Sequence, residues 1–332
     1  MVKVMQAQTS AMRKIITVDV KDIDFADEKY RVTFDVNSPR LYDAIKAVGL
    51  INPPLLQLKS EKCYRIVAGF RRCTVLKELG QGQCPAVLAD EAADDLALFD
   101  LVIRDNLSVR EFNAVDISRI IHKLESDFDV PPQTIIDHYL PLLGCGQNPR
   151  VIDLFRPLIL FDGDWQKAIS EDRISLDVCS ALAQRTEDER KAFFHIITTL
   201  KLGKNRQREF WALLDDIARR DRISITDVIG LEALQEILCD EKMTFSQKTG
   251  CFKHELWKMR FPAYEKVNSQ FEVLLRQAKL PPEVSLRPAA YFEGDDFTVS
   301  FTFKNETEYG QKLHLLTRLK DGGIIEKITT LV

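Results

Sequence analysis

Gly69, Arg71 and Arg72 form the densest group of residues in this chain whose types and spacing could do chemistry. An apolar run, Tyr64-Arg65-Ile66-Val67, ends at Ala68, and a helical pattern begins directly after Gly69. A strand that turns through glycine into a helix leaves backbone N–H groups unpaired at the helix start. Two guanidinium groups beside those donors make a set suited to phosphate oxygens. The same string also fits a tight turn whose arginines are simply solvated, so its neighbours have to decide.

A second group lies between Phe128 and Arg156. Ile135, Ile136, Tyr139 and Leu140 make a short apolar face, Leu143-Gly144-Cys145-Gly146 reads as a turn, and Asn148-Pro149 reads as an N-cap followed by proline at the first helical position. Val151, Leu154, Phe155 and Leu158 are the expected inward residues of the helix so opened, and Pro157 should kink or end it. Two short helices across a glycine turn have the layout of a helix-turn-helix. Gln147, Asn148, Arg150 and Asp153 would then face outward near the second N-terminus, and Gln, Asn and Arg suit base edges. Arg156 adds a positive charge to this stretch. An αα-hairpin with a polar outer face fits the pattern equally well. Further on, Lys201, Lys204, Arg206 and Arg208 cluster around Gly203. They fit either contacts to a nucleic-acid backbone or a solvated face, because acidic residues between Cys145 and Phe210 nearly balance the basic ones.

Short elements must hold these groups. Strands are expected at Ile15–Val20, Leu55–Leu58, Tyr64–Val67 and Ala86–Leu88, with helices opened by Ser38-Pro39 and closed by Gly49, and from about Arg71 to Leu79. Asp90 is a candidate cap for the next helix, and Asn113 with Asp116 a capping pair for a helix striped by Ile117, Ile120, Ile121 and Leu124. Helices are then expected at 164–169, 175–184 and 186–200, the last opened by the box Thr186-Glu187-Asp188-Glu189. More follow around Trp211–Ile217, Val228–Leu238 and Phe252–Met259, with Trp257 and Phe261 in the core. After Pro281-Pro282, Val284–Leu286 and the alternating Phe297–Phe303 read as a hairpin with one face buried, followed by a helix at 306–319. The fold class is therefore α+β: a small α/β N-terminal domain, an all-helical middle and a small ββα C-terminal unit. The expected divisions are an arm at 1–14, then 15–110, 111–200, 201–280 and 281–332. The last piece is too small to bury much surface alone, so it should dock on its own chain or pair with a second copy.

The 332 residues, 45% hydrophobic and 29% charged, describe a globular chain of two or three domains. A formal charge of -4 excludes a global polycation, so any contact with DNA has to be a local patch. Seven scattered cysteines, without a C-x-x-C pair, argue against a metal cluster or a disulfide framework. No apolar run approaches the roughly 20 residues that span a bilayer, and Met1–Lys14 lacks a signal-peptide core, which points to a cytoplasmic protein without a membrane partner.

Three strings carry a resemblance. Gly49-Leu50-Ile51-Asn52-Pro53-Pro54, the Tyr64–Arg72 box and Asp105-Asn106-Leu107 are similar to segments of the ParB family of chromosome and plasmid partition proteins, over roughly residues 15–185. The resemblance implies a homodimeric, CTP-operated clamp on double-stranded DNA, nucleoid-associated, with a ParA-like ATPase as a further partner. It implies that Gly69, Arg71 and Arg72 hold the triphosphate, with Arg110 as a further nucleotide contact. Asn106 would help to coordinate Mg2+, and Asp105 would stand where a family glutamate assists CTP hydrolysis. Gln147, Asn148, Arg150, Arg156, Lys204 and Arg206 would face DNA. The sequence also departs from the family pattern. Phe70 replaces an acidic residue, and Val109 stands in place of an arginine that Arg110 could replace only through a local shift of helix register. Two other functions fit the same residues: a nucleotide-independent transcription regulator or adaptor, and a phosphoryl-transfer enzyme on the related sulfiredoxin-like scaffold, for which Cys73 is the candidate nucleophile.

Overall fold

The computed structural model describes residues 15–331, so the arm expected at 1–14 lies outside the described residues. β1 (Ile15–Asp19) and the two-residue β2 (Ile23–Asp24) flank a single 3-10 turn. α1 (Pro39–Val48) begins with proline at its start and ends at Gly49, whose φ of +79° lets its N–H close back on the Ile45 carbonyl. β3 (Leu55–Ser60) and β4 (Cys63–Ala68) pair antiparallel, and α2 (Phe70–Glu78) leads to β5 (Gln83–Leu88). β5 starts earlier than the apolar triplet suggested because all of β1, from Ile15↔Val87 to Asp19↔Gln83, pairs with it. The sheet order is β1-β5-β3-β4-β2. Leu56, Ile66, Cys73, Cys84 and Ala86 are wholly buried between its strands and helices.

α3 (Asp95–Leu107) is capped by Asp94, whose carboxylate accepts from the Ala97 N–H at 2.8 Å. Asp90 instead closes a local turn by accepting from the Ala92 N–H, so the expected cap moves four residues along the chain. α4 (Ala114–Ser126) has the expected stripe, with Ile120, Ile121 and Leu124 fully buried. Each such side chain contributes roughly 1.5–3 kcal/mol of burial.

The irregular segment 25–38 is held by side chains rather than by a ladder. Asp27 accepts from Arg65 Nε at 2.6 Å and from Lys59 Nζ at 2.9 Å. The fully buried Tyr30 donates its hydroxyl to Asp95, which also pairs with Lys29. Lys123 of α4 donates to the Glu28 and Lys29 carbonyls at 2.7 and 3.2 Å.

Next, α5 (Pro132–Thr134), a π-helical turn (Ile135–Tyr139) and α6 (Leu140–Leu142) form one helical stretch. A turn with Gly144 at φ +75° leads to α7 (Pro149–Phe155). Ile152, Phe155 and Leu158 face inward, while Val151 and Leu154 are only partly covered. Helix geometry gives way to a 3-10 turn, Arg156–Leu160, at Pro157 as expected. α8 (Gly163–Ser170) and α9 (Leu176–Leu182) follow, and α10 (Glu187–Thr199) opens on the Thr186–Glu189 capping box.

The chain divides into two compact units: Met1–Arg190 with Gly203–Arg208, and Lys191–Leu202 with Glu209–Val332. The second contains most of α11 (Lys204–Asp221), then α12 (Ile225–Ile229) and α13 (Glu232–Cys239). The single helix expected at Val228–Leu238 is thus two, broken at Gly230 and Leu231. α14 (Phe245–Arg260) runs further than its apolar spacing indicated because a Thr244–Gln247 capping box starts it early. Trp257 and Phe261 lie with ring centroids 4.3 Å apart, tilted by 48°, and are half-buried. α15 (Pro262–Ala278) falls in the stretch 201–280 expected to be helical, though its own bounds were not indicated, and it supplies the buried Phe271.

β6 (Val284–Pro288) and β7 (Phe297–Phe301) form the hairpin, with α16 (Glu306–Asp321) and a short α17 (Ile324–Thr329) after it. Phe271, Leu286 and Ile328 make the small core here. The alternating strand is not covered along one face: Phe297 and Phe301 are half-buried, but Val299 is 40% and Phe303 53% exposed. Among the described residues no helix is long and apolar enough to cross a membrane.

Candidate functional site

Gly69 is the N-cap of α2, with φ +101° and no side chain to close the helix start. A Cβ added there would lie 3.0 Å from Pro54 Cβ and 3.0 Å from two nitrogens of Arg72. The Arg72 guanidinium therefore lies across the turn, where its Nη1 donates to the Asn52 and Pro53 carbonyls at 2.8 and 3.1 Å. Arg72 ties the turn to the Gly49–Pro54 segment. Arg71 leaves in another direction, its Nε donating to the Asp35 carbonyl at 3.0 Å. Phe70, between Gly69 and the arginines, packs its ring on the core of the sheet domain.

Arg110 reaches the same neighbourhood without a change of helix register. Beyond α3, the N–H groups of Val109 and Arg110 both return to the Asn106 carbonyl, at 3.1 and 3.0 Å. That turn leaves Val109 80% exposed and brings Arg110 inward. Arg110 Nη1 donates to Asp116 Oδ2 at 2.5 Å, Nη2 to Thr33 Oγ1 at 2.9 Å, and Nε makes a long contact of 3.4 Å to Asn106 Oδ1. The Asp116 side chain is fully buried, and its Oδ1 accepts from the Phe34 N–H at 2.8 Å. Asn113 caps α4 as expected, but Asp116 turns away from it towards Arg110 and Phe34.

Burial lowers the pKa of Arg71, and the positive charge of Arg110 lowers it further. Arg71 and Arg110 are anchored along one short stretch of chain, with Asp116 bonded to the second. Three successive residues link the set: Thr33 touches Arg110, Phe34 touches Asp116, and Asp35 touches Arg71. Sequence reading named neither Thr33–Asp35 nor Asp116 for this site. A carboxylate in the first turn of α4 was visible, and its partner across the chain was not.

The remaining candidates have varied surroundings. Asn106 donates its amide to the Val102 carbonyl at 2.9 Å, while Asp105 is exposed. Burial pushes the Cys73 thiol up to about 12, which keeps it protonated and unfit as a nucleophile. A cleft of about 780 Å³ is lined by Asp19, Lys21, Asp24, Phe25, Lys77 and their neighbours, not by the Gly69 turn.

At the turn before α7, Asn148 Oδ1 accepts from the Arg150 N–H at 3.0 Å, and Gln147 donates to the Asp137 carbonyl at 3.2 Å. Arg156 grips Glu125 through two bonds, of 3.1 and 2.6 Å. Lys204 pairs with Asp172 at 2.5 Å, and Arg208 with Asp177 at 2.8 Å. The Arg150 and Arg206 guanidinium groups are exposed and have no hydrogen bond or ion pair among the described residues.

The ParB N-terminal domain family matches residues 4–106. The probable chromosome-partitioning protein ParB of Neisseria meningitidis serogroup A is 30% identical over 223 residues, covering 66% of this chain and 71% of that protein. The chain belongs to the ParB family. C-terminally truncated ParB from Caulobacter crescentus, complexed to the centromeric parS site, is 18% identical, covering 60% of this chain and 97% of that one with a TM-score of 0.34. The same protein complexed with CTP-gamma-S is also 18% identical, covering 52% and 94% with a TM-score of 0.26. The ParB N-terminal domain match ends at Asn106, so Arg110 and Asp116 lie beyond it.

Proposed function

We propose that this ParB-family chain is a partition protein that holds double-stranded DNA with α5–α7 and CTP at the Gly69 turn. The observation that carries the reading is the open, uncapped start of α2 with Arg71 and Arg110 both anchored to the segment 33–35, in a chain of this family. Backbone N–H groups of α2 and the two guanidinium forks supply donors for phosphate oxygens, and Arg72 keeps the turn in shape. On the DNA side Arg150 is the available base-reading side chain. Gln147 and Asn148 would exchange their present bonds to join it, and Arg206, with Arg156 and Lys204, would meet phosphates.

In this reading residues 15–110 are the nucleotide domain, 111–200 the DNA domain, and 281–332 contribute to a homodimer that closes as a clamp. The exposed apolar Val299, Phe303, Tyr309 and Leu313 support that last assignment. A ParA-like ATPase and a place on the nucleoid in the cytoplasm complete it.

Crosslinking of the N-terminal domains, with and without CTP, on DNA carrying a partition site tests ligand, dimer and clamp together. The expected result is crosslinking that rises with CTP and DNA. A protein that binds the DNA with an identical lifetime with and without CTP, and in the Arg71→Ala variant, is instead a nucleotide-independent regulator. Commitment of Arg72 to two backbone carbonyls is the observation that favours this second reading.

A further inference from the structure

We infer that Arg110 takes the place of a divalent cation in this chain, so that a nucleoside triphosphate binds at the Gly69 turn without Mg2+. This rests on the reading of that turn as a nucleotide site. The family pattern implies Asn106 as a metal ligand, and the surroundings of Asn106 do not fit one. Its amide nitrogen is committed to the Val102 carbonyl, and its oxygen faces Arg110 Nε at 3.4 Å. Mg2+ requires close to six oxygens in octahedral array at about 2.0–2.1 Å. Here the nearby oxygens are already spent on the guanidinium: Thr33 Oγ1 and Asp116 Oδ2 both accept from Arg110, and Asp116 Oδ1 accepts from the Phe34 N–H. No group of three or more His, Cys, Asp or Glu side chains is placed to hold a metal among the described residues. A doubly charged ion at Asn106 would also sit against the Arg110 guanidinium, 3.4 Å from the Asn106 oxygen.

What does fit is an anion. Arg110 is fixed by a buried carboxylate and a hydroxyl, and its side chain keeps 18% of its surface exposed. Arg71 is held two residues along the same segment, its Nε donating to the Asp35 carbonyl while Arg110 donates to Thr33, and burial together with the Arg110 charge disfavours its charged form. Like charges anchored on one short segment repel, an anion between them relieves that repulsion, and a triphosphate chain offers oxygens to both forks. The positive charge missing at Val109 is thus supplied one residue later, at the place where a metal would otherwise neutralise phosphate.

Titration calorimetry of the full chain with CTP and, separately, with inorganic tripolyphosphate, each in Mg2+ and in EDTA, tests this. The expected dissociation constants agree within about threefold between the two buffers. In EDTA, Arg110→Ala weakens binding by roughly 10–100-fold, the loss of a charge-assisted contact. Because that variant leaves Asp116 unpaired, an Arg110→Ala/Asp116→Asn double variant, checked for native circular dichroism, should show the same weakening. Binding more than about tenfold tighter in Mg2+ overturns the inference and leaves the nucleotide reading intact. Equal affinity of the Arg110 variants and the parent in EDTA also overturns it. Absence of binding under every condition overturns the nucleotide reading itself.

Discussion

The helices that start at Gly69 and at Asn148 each carry arginine in their first turn, yet they close their ends differently. Asn148 turns its own amide oxygen onto the Arg150 N–H, so α7 satisfies its start from within. Gly69 has nothing to offer, and the N–H groups that open α2 have no capping side chain. A self-capped helix can meet a ligand only through outward side chains, which suits the reading of bases by a few exposed groups. A helix without a cap presents its backbone, which recognises charge and shape rather than sequence. The arginines follow the same division: Arg71, Arg72 and Arg110 are anchored to the chain, whereas Arg150 is unattached.

The largest way to break this contrast is to remove what anchors the Gly69 side. Asp116→Ala leaves Arg110 and the Phe34 N–H without their partner in a buried place, and should cost about 3–5 kcal/mol in urea unfolding of the N-terminal unit. Asp116→Asn, which keeps two polar atoms, should cost clearly less. Next comes the turn itself. Gly69→Ala combines φ +101° with a Cβ 3.0 Å from Pro54, and should lower stability by about 1–3 kcal/mol while weakening CTP binding.

On the other side, Arg150→Ala should lose about 1–3 kcal/mol of site-specific DNA affinity in an anisotropy titration with no shift of the melting temperature. Asn148→Ala should do the reverse first, costing about 1 kcal/mol of stability through the lost cap. If the two variants exchange effects, the division between a capped reader and an open phosphate turn is wrong. The smallest expected effect concerns acid. Burial disfavours ionisation of Asp27, but hydrogen bonds from Lys59 and Arg65 outweigh it and lower its pKa to about 2. Its ionised form therefore stabilises the fold above the unfolded-state pKa near 3.8, and that contribution fades as pH falls from about 4 to 2. Asp27→Asn should flatten the melting temperature across that window.

Much of both helix starts was legible because capping is local: Asn148-Pro149 and the strand-Gly69-helix string carry their meaning within a few residues. The Thr186–Glu189 box and the Ile117–Leu124 stripe were legible for the same reason. What failed to show was non-local. Asp116 looked like a partner for Asn113 three residues away, and its oxygens went to Arg110 and to Phe34 across the chain. Arg110 was expected to need a shifted helix, whereas the chain leaves α3 after Leu107 and folds back in one turn. The bounds of α15, within a stretch expected to be helical, did not show because its apolar residues are interleaved with Glu265, Lys266, Glu272 and Arg276, and the hairpin's alternation promised a covered face that the described residues do not supply.

The strap at 25–38 bears on where this protein can be cut. Its N–H, carbonyl and side-chain groups are met by Lys59 and Arg65 in the sheet, Arg71 in α2, Asp95 in α3, Arg110 just after it, and Asp116, Arg119 and Lys123 in α4. A fragment ending at residue 110 would retain every strand of the first sheet and lose the three of those eight attachments that α4 supplies. A stable N-terminal fragment therefore has to include α4, and a protease given the folded chain should spare Arg110, although a sequence-based boundary falls there.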